Sequence, residues 1–178
     1  MATLIHLNGP TGVGKSTIAR RLVDDRPLAL CLEIDCLRVR LGRWYEHGES
    51  KQIARDLGYD LARRHLSLGR DVVLPQLTVR ADVVDDLERL AADVGAAFVE
   101  VVLIAVAGEL AARVQPRRET AGERHPRDQF APAELATQIE DSLDALAAIA
   151  AARASAHTID VGGMTPDRAL AAVRGVVS

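Results

Sequence analysis

Short apolar runs alternate along the chain with longer stretches of helical period, the pattern of a parallel sheet with helices on its faces. Residues 4–7 read as a first strand. Residues 15–23 read as the helix after it, with Ile18, Ala19 and Leu22 on one face, and Pro27 closes that unit. A second strand is predicted over 29–34, ending at Asp35, with a short helical stretch over 36–41 behind it. A long helix over 50–68 carries Ile53, Leu57, Leu61 and His65 or Leu66 at helical spacing and stops at Gly69. A third strand over 71–74 is cut by Pro75, and a helix over 81–94 ends at Gly95. The run 97–105 is nearly all apolar, as a central strand buried on both faces requires. A short helix over 109–114, a long one over 133–152, a last strand over 158–160 and a closing helix over 165–173, with Pro166 in its first turn, complete the chain. There is no internal repeat and no linker between two cores, so the expectation is one α/β domain over residues 1–178.

One segment breaks the alternation. Residues 115–132 are polar, rich in arginine and punctuated by Pro116, Gly122, Pro126 and Pro132. A polar stretch of that length inside a compact domain reads as a functional loop or lid.

Composition narrows the function classes. Hydrophobic residues make up 48%, enough for a full core. Aromatics are only 3%, which argues against a base-stacking nucleic-acid platform, and the net charge of -3 supplies no basic field for DNA or RNA. Cys31 and Cys36 lack the paired spacing of a zinc site and read as small core residues of a reducing cytosol. The first residues carry no basic stretch before an apolar run, and the apolar stretch 99–107 contains Glu100 and is too short to cross a bilayer. The expectation is a soluble cytoplasmic protein.

Candidate chemistry starts at Gly9-Pro10-Thr11-Gly12-Val13-Gly14-Lys15-Ser16, which fits G-x-x-x-x-G-K-[ST] in full. Glycines let the backbone turn its N–H groups toward phosphate oxygens, and the helix that follows adds its positive N-terminus. The loop lies between a predicted strand and an amphipathic helix, as this chemistry needs. Gly9, Thr11, Gly12, Val13, Gly14, Lys15, Ser16 and Thr17 are therefore read as the nucleotide-binding set. Lys15 is assigned to the β- and γ-phosphates and the Ser16 hydroxyl to Mg²⁺. The chain holds only two lysines, Lys15 and Lys51, so an interchangeable surface cation at this position would have been arginine.

Asp35 stands at the predicted end of the second strand, on the edge where the phosphate loop opens. A carboxylate there can take the proton of a substrate hydroxyl, or it can cap the helix that follows. Arg38, one helical turn on, can bind an acidic part of the substrate or the transferring phosphoryl group. No Asp or Glu follows the third strand, where Val72-Val73-Leu74 runs into Pro75-Gln76; that speaks against a motor or helicase and leaves Gln76 and Thr78 to face substrate or a magnesium-bound water. The lid segment holds Arg117, Arg118, Arg124, His125 and Arg127. With Arg113 just before it, Arg117 and Arg118 are the best candidates to clamp charge on a transferring phosphoryl group, the alternative being a solvated surface. Trp44 and Tyr45 either line an acceptor pocket or pack on the sheet edge. His6, His47, His65 and His157 read as structural or surface residues.

With these residues placed, the chain resembles the small P-loop kinase-like proteins, a group that takes in shikimate and gluconate kinases, chloramphenicol phosphotransferase and the zeta toxins. It is most similar to the tunicamycin-resistance type, in the strand ending near Pro75, the helix 81–90, the strand 99–104 and Arg113. The resemblance implies a three-layer P-loop NTPase fold, a five-stranded parallel sheet in the order 2-3-1-4-5 with helices on both faces and a mobile lid. It also implies that Asp35 matches the base position and that residues 158–166 lie near the adenine. The expected activity is ATP- and Mg²⁺-dependent phosphoryl transfer to a hydroxyl of a small molecule, an antibiotic or a nucleotide-sugar-like compound. Lys15, Asp35, Arg38, Arg113, Arg117 and Arg118 are the residues expected to carry it. The alternatives are a nucleotide-binding protein that sequesters its ligand with little catalysis and a zeta-toxin-like kinase. The expected partner is the small-molecule acceptor, with no nucleic acid or membrane, and the expected state is a monomer or homodimer.

Overall fold

The computed structural model describes residues 1–120 and 132–178, apart from the side chains of 115–120 and 132–133. The chain runs β1 (Thr3–Asn8), α1 (Lys15–Asp24), β2 (Leu30–Cys31), α2 (Ile34–Arg38), α3 (Ser50–Ser67), β3 (Val72–Pro75), α4 (Ala81–Asp93), β4 (Ala97–Ile104), α5 (Ala107–Thr120), α6 (Pro132–Ala152), β5 (His157–Asp160) and α7 (Pro166–Val177). Five parallel strands form one sheet in the order β2-β3-β1-β4-β5, as expected.

Alternation along the central strands divides the core between the two faces. Ile5 and Leu7 of β1 and Val101 and Leu103 of β4 pack against α1, α5 and α7. Leu4, Val72 and Leu74 face the other way, against α3 and α4.

Three elements differ from the reading of the sequence. The strand expected over 29–34 is only Leu30–Cys31, and Ile34 already belongs to α2. Leu32 and Ile34 are buried, but an apolar run has the same composition in a strand and in a helical turn. Asp35 therefore lies in the first turn of α2, and the cap position belongs to Glu33. The stripe Ile53, Leu57, Leu61 is exposed, whereas Ser50, Ala54, Gly58, Ala62 and Leu66 are buried. Close packing decides this: a Cβ on Gly58 would lie 3.1 Å from Ile34 Cγ1, so α3 approaches α2 through its small residues. Finally, α5 continues past 114 and through Pro116 to Thr120, so the first residues of the expected lid are helical backbone. Residues 121–131 of that lid, with Arg124, His125 and Arg127, lie outside the described residues.

A buried polar network sits behind the C-terminal end of β1. His6, Asn8 and Glu100 are almost fully shielded from solvent. Glu100 accepts from Asn8 Nδ2 at 3.3 Å and from Arg153 Nε at 3.0 Å. Arg153 also pairs with Asp85 and Glu88 of α4. His6 Nε2 meets the Gln76 carbonyl at 3.1 Å, while its Nδ1 has no hydrogen-bond partner. Burial pushes the imidazole from its ordinary 6.5 down to about 4. The unfolded chain then binds a proton below pH 6.5 that the folded chain refuses until about pH 4. Stability present above pH 6.5 is lost as pH falls through that window, by about 3 kcal/mol in all. Urea unfolding of wild type and His6→Gln between pH 7 and 4 measures it: the wild type is expected to show the extra loss and the variant to lack it. Equal pH slopes would assign the acid sensitivity to other groups.

Candidate functional site

The chain order reverses between β3 and β1, and the crevice at the C-terminal ends of these strands is where ligands bind in open α/β sheets. β2 stops after Cys31, which pairs with Val73. Gln76 N still donates to Leu7 O, so the missing N–H of Pro75 falls on the side where β2 has already ended. The short edge strand thus leaves room for a cleft of about 520 Å³ between the first loop, α2 and the end of β3.

The loop from Gly9 to Gly14 forms one wall. Gly9, Gly12 and Gly14 have φ of 147°, 88° and 102°. A Cβ on Gly9 would come within 2.6 Å of Leu103 O, and one on Gly12 within 2.7 Å of Leu110 O. Both positions therefore need glycine for space as well as for backbone angle. Gly14 is the N-cap of α1, no side chain caps the helix, and its first turn holds no acidic residue. The first-turn amides are thus left to an anion, which is the feature by which the loop fits a polyphosphate. Thr11, Ser16 and Thr17 line the cleft, while Val13 is buried and anchors the loop in the core. Lys15 Nζ donates to Gly9 O at 2.7 Å and Pro10 O at 2.9 Å, holding its charge over the loop.

The root of the loop is pinned by Asn8, which sequence reasoning missed. Its Oδ1 accepts from Gly9 N and from Thr78 N, each at 2.9 Å, and its Nδ2 donates to Thr78 O at 3.0 Å. One side chain thereby ties the phosphate loop to the segment after β3. Thr78 turns inward to this network, whereas Gln76 faces the cleft.

Opposite the loop stand Asp35 and, unanticipated, Glu33, Cys36 and Arg20. Arg20 of α1 binds Glu33 Oε1 through Nε at 3.0 Å and Nη2 at 2.7 Å. Glu33 is the N-cap of α2 and Asp35 lies in its first turn, so the start of one short helix carries both carboxylates. Cys36 is exposed and lines the cleft instead of filling the core; Cys31 is half-buried, and both thiols are free. Burial pushes both thiols above their ordinary value, so neither is an activated nucleophile.

No carboxylate follows β3, but Ser16, Glu33 and Asp35 bring hard oxygen donors to one cleft, the chemistry Mg²⁺ prefers. Among the described residues no group of three or more His, Cys, Asp or Glu forms a metal cage. A cation here therefore depends on phosphate oxygens and water for the rest of its coordination.

Arg38 does not line the cleft. Its Nε donates to Ser50 Oγ at 3.0 Å, and its guanidinium lies 4.9 Å from the centroid of the Trp44 ring. Trp44 is buried beneath it and Tyr45 is half exposed; neither lines the cleft. Arg113 lies on the other side of the loop, in a second cavity of about 210 Å³ shared with Thr17, Val161, Met164 and Pro166. Glu109 orders this rim, pairing with Arg113 and accepting from Gly163 N, both at 3.3 Å. Arg117 and Arg118 lie on the α5 backbone, and their side chains fall outside the described structure.

Comparison with known proteins agrees with this architecture. The sequence matches the family AAA_33, described as an AAA domain, over residues 4–146. No curated protein matches it significantly. Among solved structures, the tunicamycin resistance protein of Deinococcus radiodurans superposes with a TM-score of 0.61 at 19% identity, covering 100% of this chain and 96% of that one. A protein of Chloroflexus aurantiacus gives 0.68 at 17% identity, covering 99% of both chains. A gluconokinase of Sinorhizobium meliloti gives 0.63 at 17% identity, covering 98% of this chain and 91% of that one. At these identities the likeness is one of fold. Among the described residues no helix is long and apolar enough to cross a membrane.

Proposed function

The chain belongs to the AAA domain family AAA_33, and on that premise we propose that it is an ATP- and Mg²⁺-dependent phosphotransferase acting on a hydroxyl of a small molecule. The observation that carries this reading is the single cleft in which an uncapped helix N-terminus and Lys15 face the carboxylates of Glu33 and Asp35. One wall suits a polyphosphate and the other suits the hydroxyl that receives the phosphoryl group.

Each residue has a part. The loop amides and Lys15 hold the phosphates and balance charge that develops on the transferring group. Asp35 accepts the hydroxyl proton as the acceptor oxygen bonds to the γ-phosphorus and the bond to the β-phosphate oxygen breaks. Ser16 and Glu33, which line the same cleft, would hold Mg²⁺, whose charge would offset that of the phosphates. Gln76 orients the acceptor from the end of β3. The second cavity suits a flat base, with Arg113 on one rim and Val161, Met164 and Pro166 as its apolar lining. Arg113 then holds the nucleoside and not the γ-phosphate, which leaves charge clamping to Arg117 and Arg118.

The test is ATP with a panel of sugars, nucleosides and antibiotics, tunicamycin among them, read by mass spectrometry. An acceptor that gains one phosphoryl group is the expected result. Tight nucleotide binding with no phosphorylated product from any acceptor class would instead favour the sequestering protein.

A further inference from the structure

Strand β4 holds a single charged residue, Glu100, which takes no part in the reaction proposed above. The strand lies inside the sheet, between β1 and β5, and Glu100 is 1% exposed. A carboxylate is costly to bury unless it is paired and hydrogen-bonded. Glu100 is, through both oxygens. Oε2 accepts from Arg153 Nε at 3.0 Å, and Arg153 also pairs with Asp85 and Glu88. Oε1 accepts from Asn8 Nδ2 at 3.3 Å. His6 Nδ1 stands 3.9 Å from that same oxygen, beyond hydrogen-bond reach. Stability alone does not call for this arrangement, since well-packed apolar residues often replace a buried ion pair without loss.

The oxygen turned toward Asn8 supplies a reason. An asparagine amide accepts two hydrogen bonds and donates two. Asn8 gives both acceptor sites to backbone N–H groups, those of Gly9 and Thr78, and one donor to the Thr78 carbonyl. The side chain is fully buried, so its last donor has no water to turn to. Glu100 takes that donor and completes the set. Gly9 passes the placement on, because its carbonyl accepts from Lys15 Nζ at 2.7 Å. With the last N–H unpartnered, a shift of Asn8 relieves the amide and carries Gly9 and Lys15 with it. A nucleotide then has to restore the loop on binding, and that cost is subtracted from its affinity.

We propose that Glu100 is a positioning residue for the nucleotide: acting through Asn8, it holds the start of the phosphate loop in the conformation that binds phosphate. The inference rests on the reading of Gly9 to Ser16 as a nucleotide site. Titration with the fluorescent N-methylanthraniloyl derivative of ADP in the presence of Mg²⁺ tests it, with a melting curve for each protein. Glu100→Gln keeps an oxygen to accept from Asn8 and is expected to bind within about threefold of wild type. Glu100→Leu leaves the Asn8 donor unsatisfied and is expected to bind about tenfold more weakly. In an Asn8→Ala background, Glu100→Leu is expected to cost no further affinity, since its effect passes through the missing amide. Should Glu100→Leu fail to fold beside the unpaired Arg153, Glu100→Leu with Arg153→Leu removes both charges together and takes its place in each comparison. Losses that add in the Asn8→Ala background would overturn the proposal, as would a Glu100→Gln as weak as Glu100→Leu; either would confine Glu100 to the fold. A Glu100→Leu that binds like wild type would overturn it equally. A wild type that binds no nucleotide would overturn the reading of the loop itself, and this inference with it.

Discussion

Lys15→Ala is expected to lower the rate of ATP-dependent phosphoryl transfer by about 10²–10³-fold, the loss seen when one preorganised donor to a developing charge is removed. Lys15 opens α1 and holds its ammonium over the loop through two carbonyls. A lysine there is a compact charge on a flexible stem, free to follow the phosphoryl group as charge moves. Alanine suits a helix, so the thermal midpoint should stay within a few degrees of wild type. Transfer assays at saturating Mg²⁺, with a melting curve on the same sample, separate the effects. Activity within threefold of wild type would mean that this loop does not bind the reacting phosphates.

Asp35→Asn is expected to lower kcat by about 10²–10⁴-fold, the range for loss of a general base, with nucleotide affinity unchanged. The substitution keeps shape and removes only the ability to take a proton. Because Glu33 lines the same cleft, it must be compared directly. Glu33→Gln is expected to raise the Mg²⁺ concentration needed for half-maximal activity and to free Arg20 from its carboxylate partner, while keeping most of kcat at saturating Mg²⁺. If Glu33→Gln abolished transfer at all Mg²⁺ concentrations and Asp35→Asn did not, the two roles would have to be exchanged.

Much of the architecture was legible because it rests on local rules. Strand and helix periods differ, Gly69 and Gly95 stop helices at positive φ, and Pro166 begins one. The strand order followed from the family resemblance and stands in the structure. The turn from Gly9 to Gly14 into α1 was legible, since its shape resides in glycine angles and one helix start. The opposite wall of the cleft was only half legible. Asp35 was placed correctly beside the cleft, but on a strand end that does not exist, and Arg38 was assigned to a cleft that its bond to Ser50 draws it away from.

What the sequence determined by itself is the nucleotide half of this protein: Gly9 to Ser16 carries its own geometry, because glycine angles and helix polarity are properties of neighbouring residues. Only the tertiary structure decided the rest. It brought Glu33 onto Arg20 of α1 in the same cleft, and it hung the loop's root, Asn8, on Thr78 and Glu100, 70 and 92 positions away along the chain. It also chose the small face of α3 for the core and left Ile53, Leu57 and Leu61 outside. Periodicity reports that a helix has an apolar face; which face is buried depends on how closely the neighbouring element can approach, and that is a property of the packed molecule.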